Sequence, residues 1–191
     1  GPRRGDAAVT DESATAEGVA AKLAVTGTPG TGKTTATDHL ASDSDADVIH
    51  LNDAIREFDL YSERDADRDS LITDLDAVSD HLGEWTGVLE SHLAHHFDAD
   101  RVVVLRCEPS VLETRLRDRG DTAEKARENA ESEALDVVLS EAVKQHGADT
   151  VYEIDTTDRD PAWVASEIAA IRRGEREPSA GTVDFTGYLV G

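Results

Sequence analysis

The sequence predicts an α/β fold, a five-stranded parallel sheet flanked by helices. Three observations carry this. Short apolar runs recur at 22–27, 47–51, 86–90, 101–107 and 150–155, and stretches of helical period separate them. The run RVVVLRC (101–107) holds three consecutive valines, the composition of a strand buried on both faces. The run KLAVTG (22–27) ends in glycine and passes straight into a glycine-rich turn and a helical pattern. Strands alternating with helices in this way pair in parallel, because each connection crosses back over the sheet.

Each element follows in order. Residues 1–20 are small, polar and aperiodic and are expected to form a flexible leader. After the first strand a helix is expected over 33–42. The second strand, DVIHL (47–51), leads to a short helix over 52–60 with Asn52 or Asp53 as its cap. The charged stretch YSERDADRDSLIT (61–73) reads as a loop. Leu75, Val78 and Leu82 recur at i, i+3 and i+7 and mark a helix over 74–83. TGVLE (86–90) is the third strand and 101–107 the fourth. Pro109 then opens a helix at its first turn, which stops at Gly120. One long helix is expected over 122–145, with Ala126, Ala130, Ala134 and Leu139 on one face. TVYEID (150–155) is the fifth strand. PAWVASEIAAIRR (161–173) is the closing helix, with Trp163 packing it on the sheet. The domain spans about 21–175, and 176–191 read as a flexible tail.

The net charge of −22 comes from 41 acids against 19 bases, only four of them lysines. The acids are spread along the chain, and apolar periodicity runs beneath them, which argues against a disordered acidic tail. Such a surface suits molar salt, where the Debye length shrinks to about 3 Å and self-repulsion matters little. Direct nucleic-acid binding through a basic stripe is not expected, since none exists. No run of 18 apolar residues is present, so no membrane role is expected. No secretory signal pattern is visible, and the single Cys107 cannot form an internal disulfide. Both fit a cytoplasmic protein.

Gly27 to Thr34, GTPGTGKT, fits G-x-x-x-x-G-K-[ST] at every fixed position, between a strand and a helix. Gly30 and Gly32 permit torsions and a close backbone approach that a Cβ would block. Successive N–H groups then cradle phosphate oxygens, and the helix adds its positive end. Lys33 is expected to reach the β- and γ-phosphates. Thr34 is expected to ligate Mg²⁺, and Thr35 to bond the α-phosphate. The motif points to a nucleoside triphosphate and is silent on the reaction.

The rest of the chain narrows it. ESH at 90–92, VVVLRC at 102–107, LETRLRDRG at 112–120, EKARENAESEA at 124–134 and YEIDTT at 152–157 accompany the loop. Together, across about 22–173, they resemble the atypical, CINAP-like adenylate kinases of archaea and eukaryotic nuclei. The resemblance implies the P-loop nucleoside monophosphate kinase fold with a short lid. It implies interconversion of ATP and AMP with ADP, and ATP hydrolysis. It also implies a part in maturing the small ribosomal subunit, bound to a ribosomal protein of its platform. It places the acceptor-nucleotide region at about 50–75 and the lid at about 119–129.

Further residues take candidate roles beside that resemblance. Asp53 and Arg56 fall in the acceptor region, and a guanidinium suits the AMP phosphate. Glu90 ends a strand, where a carboxylate can hold the water shell of Mg²⁺. Related sequences carry Asp-x-His there, so Glu90 departs mildly from the pattern. His92 matches the family histidine linked to hydrolysis and partner coupling. Arg119, with Arg115 one turn earlier, is placed to neutralise the transferring phosphoryl group and bind ATP, and Arg127 is a further lid candidate. His95 and His96 lie close to His92, but no cysteine or tight ligand spacing supports zinc. The roles of Asn129, Glu131 and Glu133 stay open. Three activities remain in competition: a kinase, an ATPase, and a nucleotide-gated chaperone of a basic protein.

Overall fold

The computed structural model describes residues 18–44, 46–65 and 70–190. Its strands are β1 (Lys22–Gly27), β2 (Val48–His50), β3 (Tyr61–Asp65), β4 (Ser70–Thr73), β5 (Gly87–Glu90), β6 (Arg101–Arg106) and β7 (Val151–Asp155). Its helices are α1 (Lys33–Asp43), α2 (Leu51–Glu57), α3 (Leu75–Leu82), α4 (Pro109–Asp118), α5 (Ala123–Ala134), α6 (Val137–His146) and α7 (Pro161–Arg172). The main sheet has the order β2-β5-β1-β6-β7, and every pair is parallel. The expected five-stranded parallel sheet is therefore present.

Alternation along the central strands builds two cores. Leu23 and Val25 of β1, with Val103 and Leu105 of β6, face α1 and α7, where Leu40, Val164 and Ile168 meet them. Ala24, Val102 and Val104 face the other way, onto Leu51, Ile55 and Val78 of α2 and α3 and Leu139 of α6. Full burial of each such side chain contributes about 1.5–3 kcal/mol. Because β1 is central and buried on both sides, the loop leaving its C-terminal end stands on a strand paired along both edges.

Five expectations differ from the structure. Within the 61–73 stretch, expected to be a loop, the strands β3 and β4 pair antiparallel. The helix after β2 starts at Leu51 with His50 as its N-cap and no side-chain cap bond, so neither Asn52 nor Asp53 caps it. The long helix over 122–145 breaks into α5 and α6, with Asp136 in the left-handed region at φ 56°. Aspartate tolerates that conformation better than most residues, and its carboxylate meets the Arg106 guanidinium there. Trp163 is 37% exposed and lies under Arg159, whose Cζ is 4.2 Å from its ring, so it does not pack α7 on the sheet.

The fifth difference is the tail. Glu153 Oε2 accepts bonds from the Thr182 and Val183 amides at 2.8 and 3.1 Å. Ser179 N donates to Val151 O at 3.1 Å and its Oγ accepts from Glu153 N at 2.9 Å, the Phe185 ring faces Arg106, and Tyr188 donates to Glu113. Residues 179–188 thus strap β7 to α4 rather than hang free. Of the expected leader, residues 1–17 lie outside the described residues. Gly18 is held by Arg101, which donates to its carbonyl at 2.9 Å. No helix among the described residues is long and apolar enough to cross a membrane.

Candidate active site

The loop between β1 and α1 takes its shape from two glycines. Gly30 and Gly32 have φ of 92° and 93°, a region L side chains rarely enter. A Cβ on Gly30 would also lie 2.8 Å from Leu116 and 2.9 Å from Leu112, because α4 packs directly on the loop. Thr156 pins the loop from β7 by donating to Thr31 O at 3.0 Å. Gly32 caps α1 with no side-chain bond, so the first-turn N–H groups stay available to an anion.

Lys33 is 7% exposed, and its Nζ donates to Gly27 O at 2.9 Å and Thr28 O at 3.1 Å. Burial pushes its pKa down to about 8, against the opposing charges of Glu90 and Glu133 and with a smaller push from Arg119. Thr34 Oγ1 lies 3.5 Å from Glu90 Oε1. Glu90 ends β5 in register with His50 at the end of β2, and His50 Nδ1 lies 2.8 Å from its other oxygen. Burial works against a charge on His50, but Glu90, with Asp38 and Asp53, raises its pKa overall. Thr34 and Glu90 offer hard oxygen donors at one spot beside the loop, which fits Mg²⁺.

Glu133 is the least expected member. It is 2% exposed on the inward face of α5. Its carboxylate accepts from Arg106 Nε at 3.1 Å, the Cys107 amide at 2.9 Å and Thr28 Oγ1 at 3.3 Å. Arg106, fully buried, also bonds Asp136 and Glu153. Burial pushes the Glu133 carboxyl up, while Arg106 and the Cys107 amide pull it back. Through Glu133 the phosphate loop is tied to β6, the α5–α6 break and the C-terminal strap. Burial pushes the Cys107 thiol up to about 11, which leaves it a packing residue, as expected.

A cleft of about 1010 Å³ opens over the loop. It brings together Gly30, Gly32, Lys33, Thr34 and Thr35 with Glu90, His92, Arg56, Arg115 and Arg119. Asp53 is exposed on α2 and Arg127 is 72% exposed and paired with Glu131, and neither lines the cleft. Arg115 donates to the carbonyls of Thr156 and Thr157, and Arg119 pairs with Asp121 at 3.0 Å. Only residues 119–122 separate α4 from α5, so the connection expected to act as a lid is short. His92 is pushed down to about 4, first by lost hydration and then by the Lys33 charge, so its ring is neutral near pH 7.

The lining reverses the charge of the chain. Five cations, Lys33, Arg56, Arg115, Arg119 and Lys125, face two acids, Glu90 and Glu141, on a protein of net charge −22. A polyanion is the ligand such a site attracts. Sequence reasoning missed Asn52, which lines the cleft and accepts from Ser91 Oγ at 2.8 Å, and His50. It left Glu133 open, though Ala126, Ala130 and Glu133 share one buried helical face. That spacing was the available signal.

A parallel sheet in this order, with a phosphate loop leaving its central strand, is the architecture of the P-loop kinases. A family model described as AAA domain matches residues 23–136, more than half of the chain. A protein of Natronomonas pharaonis named "Putative adenylate kinase" is 63% identical over 88% of this chain and 99% of its own length. A namesake from Halobacterium salinarum is 62% identical with the same coverage. The chain belongs to this archaeal adenylate kinase-like family. Among solved structures, shikimate kinase from Bacteroides thetaiotaomicron has a TM-score of 0.50, 19% identity, and coverage of 81% of this chain and 97% of its own. At that identity the likeness is one of fold.

Proposed function

We propose that the protein is a nucleoside monophosphate kinase of adenylate kinase type, converting ATP and AMP to two ADP. The observation that carries this is one cationic cleft among the described residues. It joins the phosphate loop to Arg56 and Asn52 of α2, on the far side from α4. The name those archaeal relatives carry, adenylate kinase, supports the same reading.

In this reading the triphosphate replaces the carbonyls that hold Lys33, whose amine then binds the β- and γ-oxygens. The free amides of the first turn of α1 bind the remaining phosphate oxygens. Thr34 and Glu90 would hold Mg²⁺, with His50 orienting Glu90 from behind. The ion would supply charge neutralisation at the terminal phosphates. Arg56 binds the acceptor phosphate as a fork. Arg119 leaves Asp121 to meet the transferring group. His92, neutral beside Lys33, offers a hydrogen bond without adding charge. The chemistry is positioning and charge neutralisation.

ATP hydrolysis is a second activity of the same cleft. The four-residue link between α4 and α5 gives little chain with which to exclude water. Assistance to small-subunit maturation through a platform protein rests on the family resemblance, and the acidic surface suits a basic partner. The same surface, and halophilic relatives, support a protein that works in molar salt.

An analogue with two adenosines joined through five phosphates tests the shared cleft. One molecule should bind per chain and compete with both ATP and AMP. Competition with ATP alone would remove the acceptor site and the kinase reading with it.

A further inference from the structure

Next to the phosphate loop, but using none of its side chains, three groups converge. A 3₁₀ turn, Ala94–His96, follows β5 and sets His95 beside His96, with ring centroids 4.2 Å apart. Helix α6 brings Glu141 against this turn. His95 Nε2 lies 2.7 Å from Glu141 Oε2, and His96 Nε2 lies 3.5 Å from the same oxygen. One donor atom from each of the three residues falls within 4.8 Å of the others.

The surroundings hold these donors in place. His95 is 1% exposed, and Thr26 Oγ1 lies 2.7 Å from its Nδ1. The turn is fixed by His146, whose Nε2 donates to His95 O at 2.8 Å. On the open side, His96 and Glu141 line the cleft, so an ion and its waters can enter there.

We propose that His95, His96 and Glu141 form a binding site for a divalent transition metal ion of the zinc or cobalt type. Two imidazoles and one carboxylate are a donor set that such ions accept, whereas Mg²⁺ prefers oxygen alone. Metal–ligand distances of about 2.0–2.1 Å in a tetrahedral site place donors about 3.3–3.5 Å apart. The Glu141 oxygen lies 2.7 and 3.5 Å from the two imidazole nitrogens, and with all three donors within 4.8 Å of one another, small side-chain shifts of Glu141 and the partly exposed His96 bring them to that spacing. The His95 ring keeps one proton throughout. With the ion bound it sits on Nδ1, where Thr26 Oγ1 accepts it, and the Nε2 lone pair faces the metal. A hydrogen bond behind a ligating histidine sets its tautomer in this way.

The site is separate from the oxygen donors Thr34 and Glu90. An ion there clips the turn after β5 to α6, and through Thr26 to β1 one residue before the loop. Its role is structural, with water filling the remaining positions. The sequence hid it because Glu141 lies 45 residues beyond His96, so no ligand spacing was visible.

The full chain, stripped with a chelator and held in molar KCl with excess Mg²⁺ to occupy oxygen sites, is titrated with Co²⁺. One equivalent should bind with the visible spectrum of nitrogen-coordinated cobalt, and Zn²⁺ should displace it. His96→Asn and Glu141→Gln should each weaken binding at least about 100-fold, since even outer partners of metal ligands are worth 10–100-fold. Zn²⁺ should raise the melting temperature of the parent chain and of neither variant. Metal-free melts of the variants show whether they fold. An oxygen-only cobalt spectrum, or unchanged affinity in both folded variants, overturns the proposal. So does loss of cobalt binding in Thr34→Ala with the two variants intact.

Discussion

Lys33 is 7% exposed and already held by two carbonyls of its own loop, while the side chain of Arg119, across the cleft, is 51% exposed and paired with Asp121. Both are cations that a polyphosphate would recruit. The first sits on a loop fixed by Thr156, by the packing of α4 and by Glu133. The second ends a helix, beside a four-residue link, in a local surface pair. Preorganisation therefore resides in the loop. In the proposed function the donor-phosphate side stands assembled before any ligand arrives, and the arginine side would be assembled by exchanging partners. Exposed pairs such as Arg119–Asp121 contribute at most about 1 kcal/mol, so the exchange is easy.

The largest break in this comparison comes from the fixed side. Glu133→Ala leaves Arg106 buried beneath the loop without one of its partners and should destabilise the fold by about 3–5 kcal/mol. Urea unfolding at constant KCl measures it, and a cost below 1 kcal/mol would show that the loop does not depend on this network. Lys33→Ala should lower kcat by about 10²–10³-fold, the usual cost of one preorganised charge-stabilising donor. Its unfolding free energy should not fall, because the substitution removes a buried cation.

The pH dependence sharpens the contrast further. In the free protein Lys33 loses its proton above about pH 8, and phosphate oxygens favour its charged form. ATP binding should therefore take up protons between pH 8 and 10.5, and affinity should fall as pH rises through that window. Calorimetry in buffers of different ionisation enthalpy reads the proton count. The unfolded chain keeps the lysine proton up to 10.5, so the Lys33 contribution to stability rises with pH across the same window. His92 works at the acid end. Its folded pKa of about 4 lies below the ordinary 6.5, so its contribution is complete above 6.5 and is lost as pH falls towards 4.

The smallest effect belongs to the exchangeable side. Asp121→Asn frees Arg119 and should change stability by less than about 1 kcal/mol. It should raise kcat/KM for ATP by a few-fold, since the arginine no longer has to leave a partner. An equally small stability change with a fall in kcat/KM would mean that Asp121 aims Arg119 rather than restrains it.

The parts legible in the sequence were those encoded locally. The phosphate loop is a contiguous motif, and the valines of β6 and the run before Gly27 announce buried strands without help from elsewhere. What was missed depends on distant partners. The α5–α6 break carries no glycine or proline, and Asp136 takes its left-handed conformation where Arg106 awaits its carboxylate. The tail looked free because its anchor, Glu153, sits on β7 and reads there as an ordinary strand residue. The pairing of β3 with β4 was hidden by charge that masks alternation. Asn52 and His50 came into view only when β2 was set beside β5, with His50 level with Glu90.

In the proposed function one cleft takes both a phosphate donor and a phosphate acceptor. The most direct measurement incubates the protein with Mg-ATP in molar KCl, with and without AMP, and quantifies ADP and free phosphate together. AMP and ATP should be consumed in equal amounts, with two ADP formed for each pair and little phosphate released. Phosphate release at the same rate without AMP, and no AMP consumed when it is present, would contradict it.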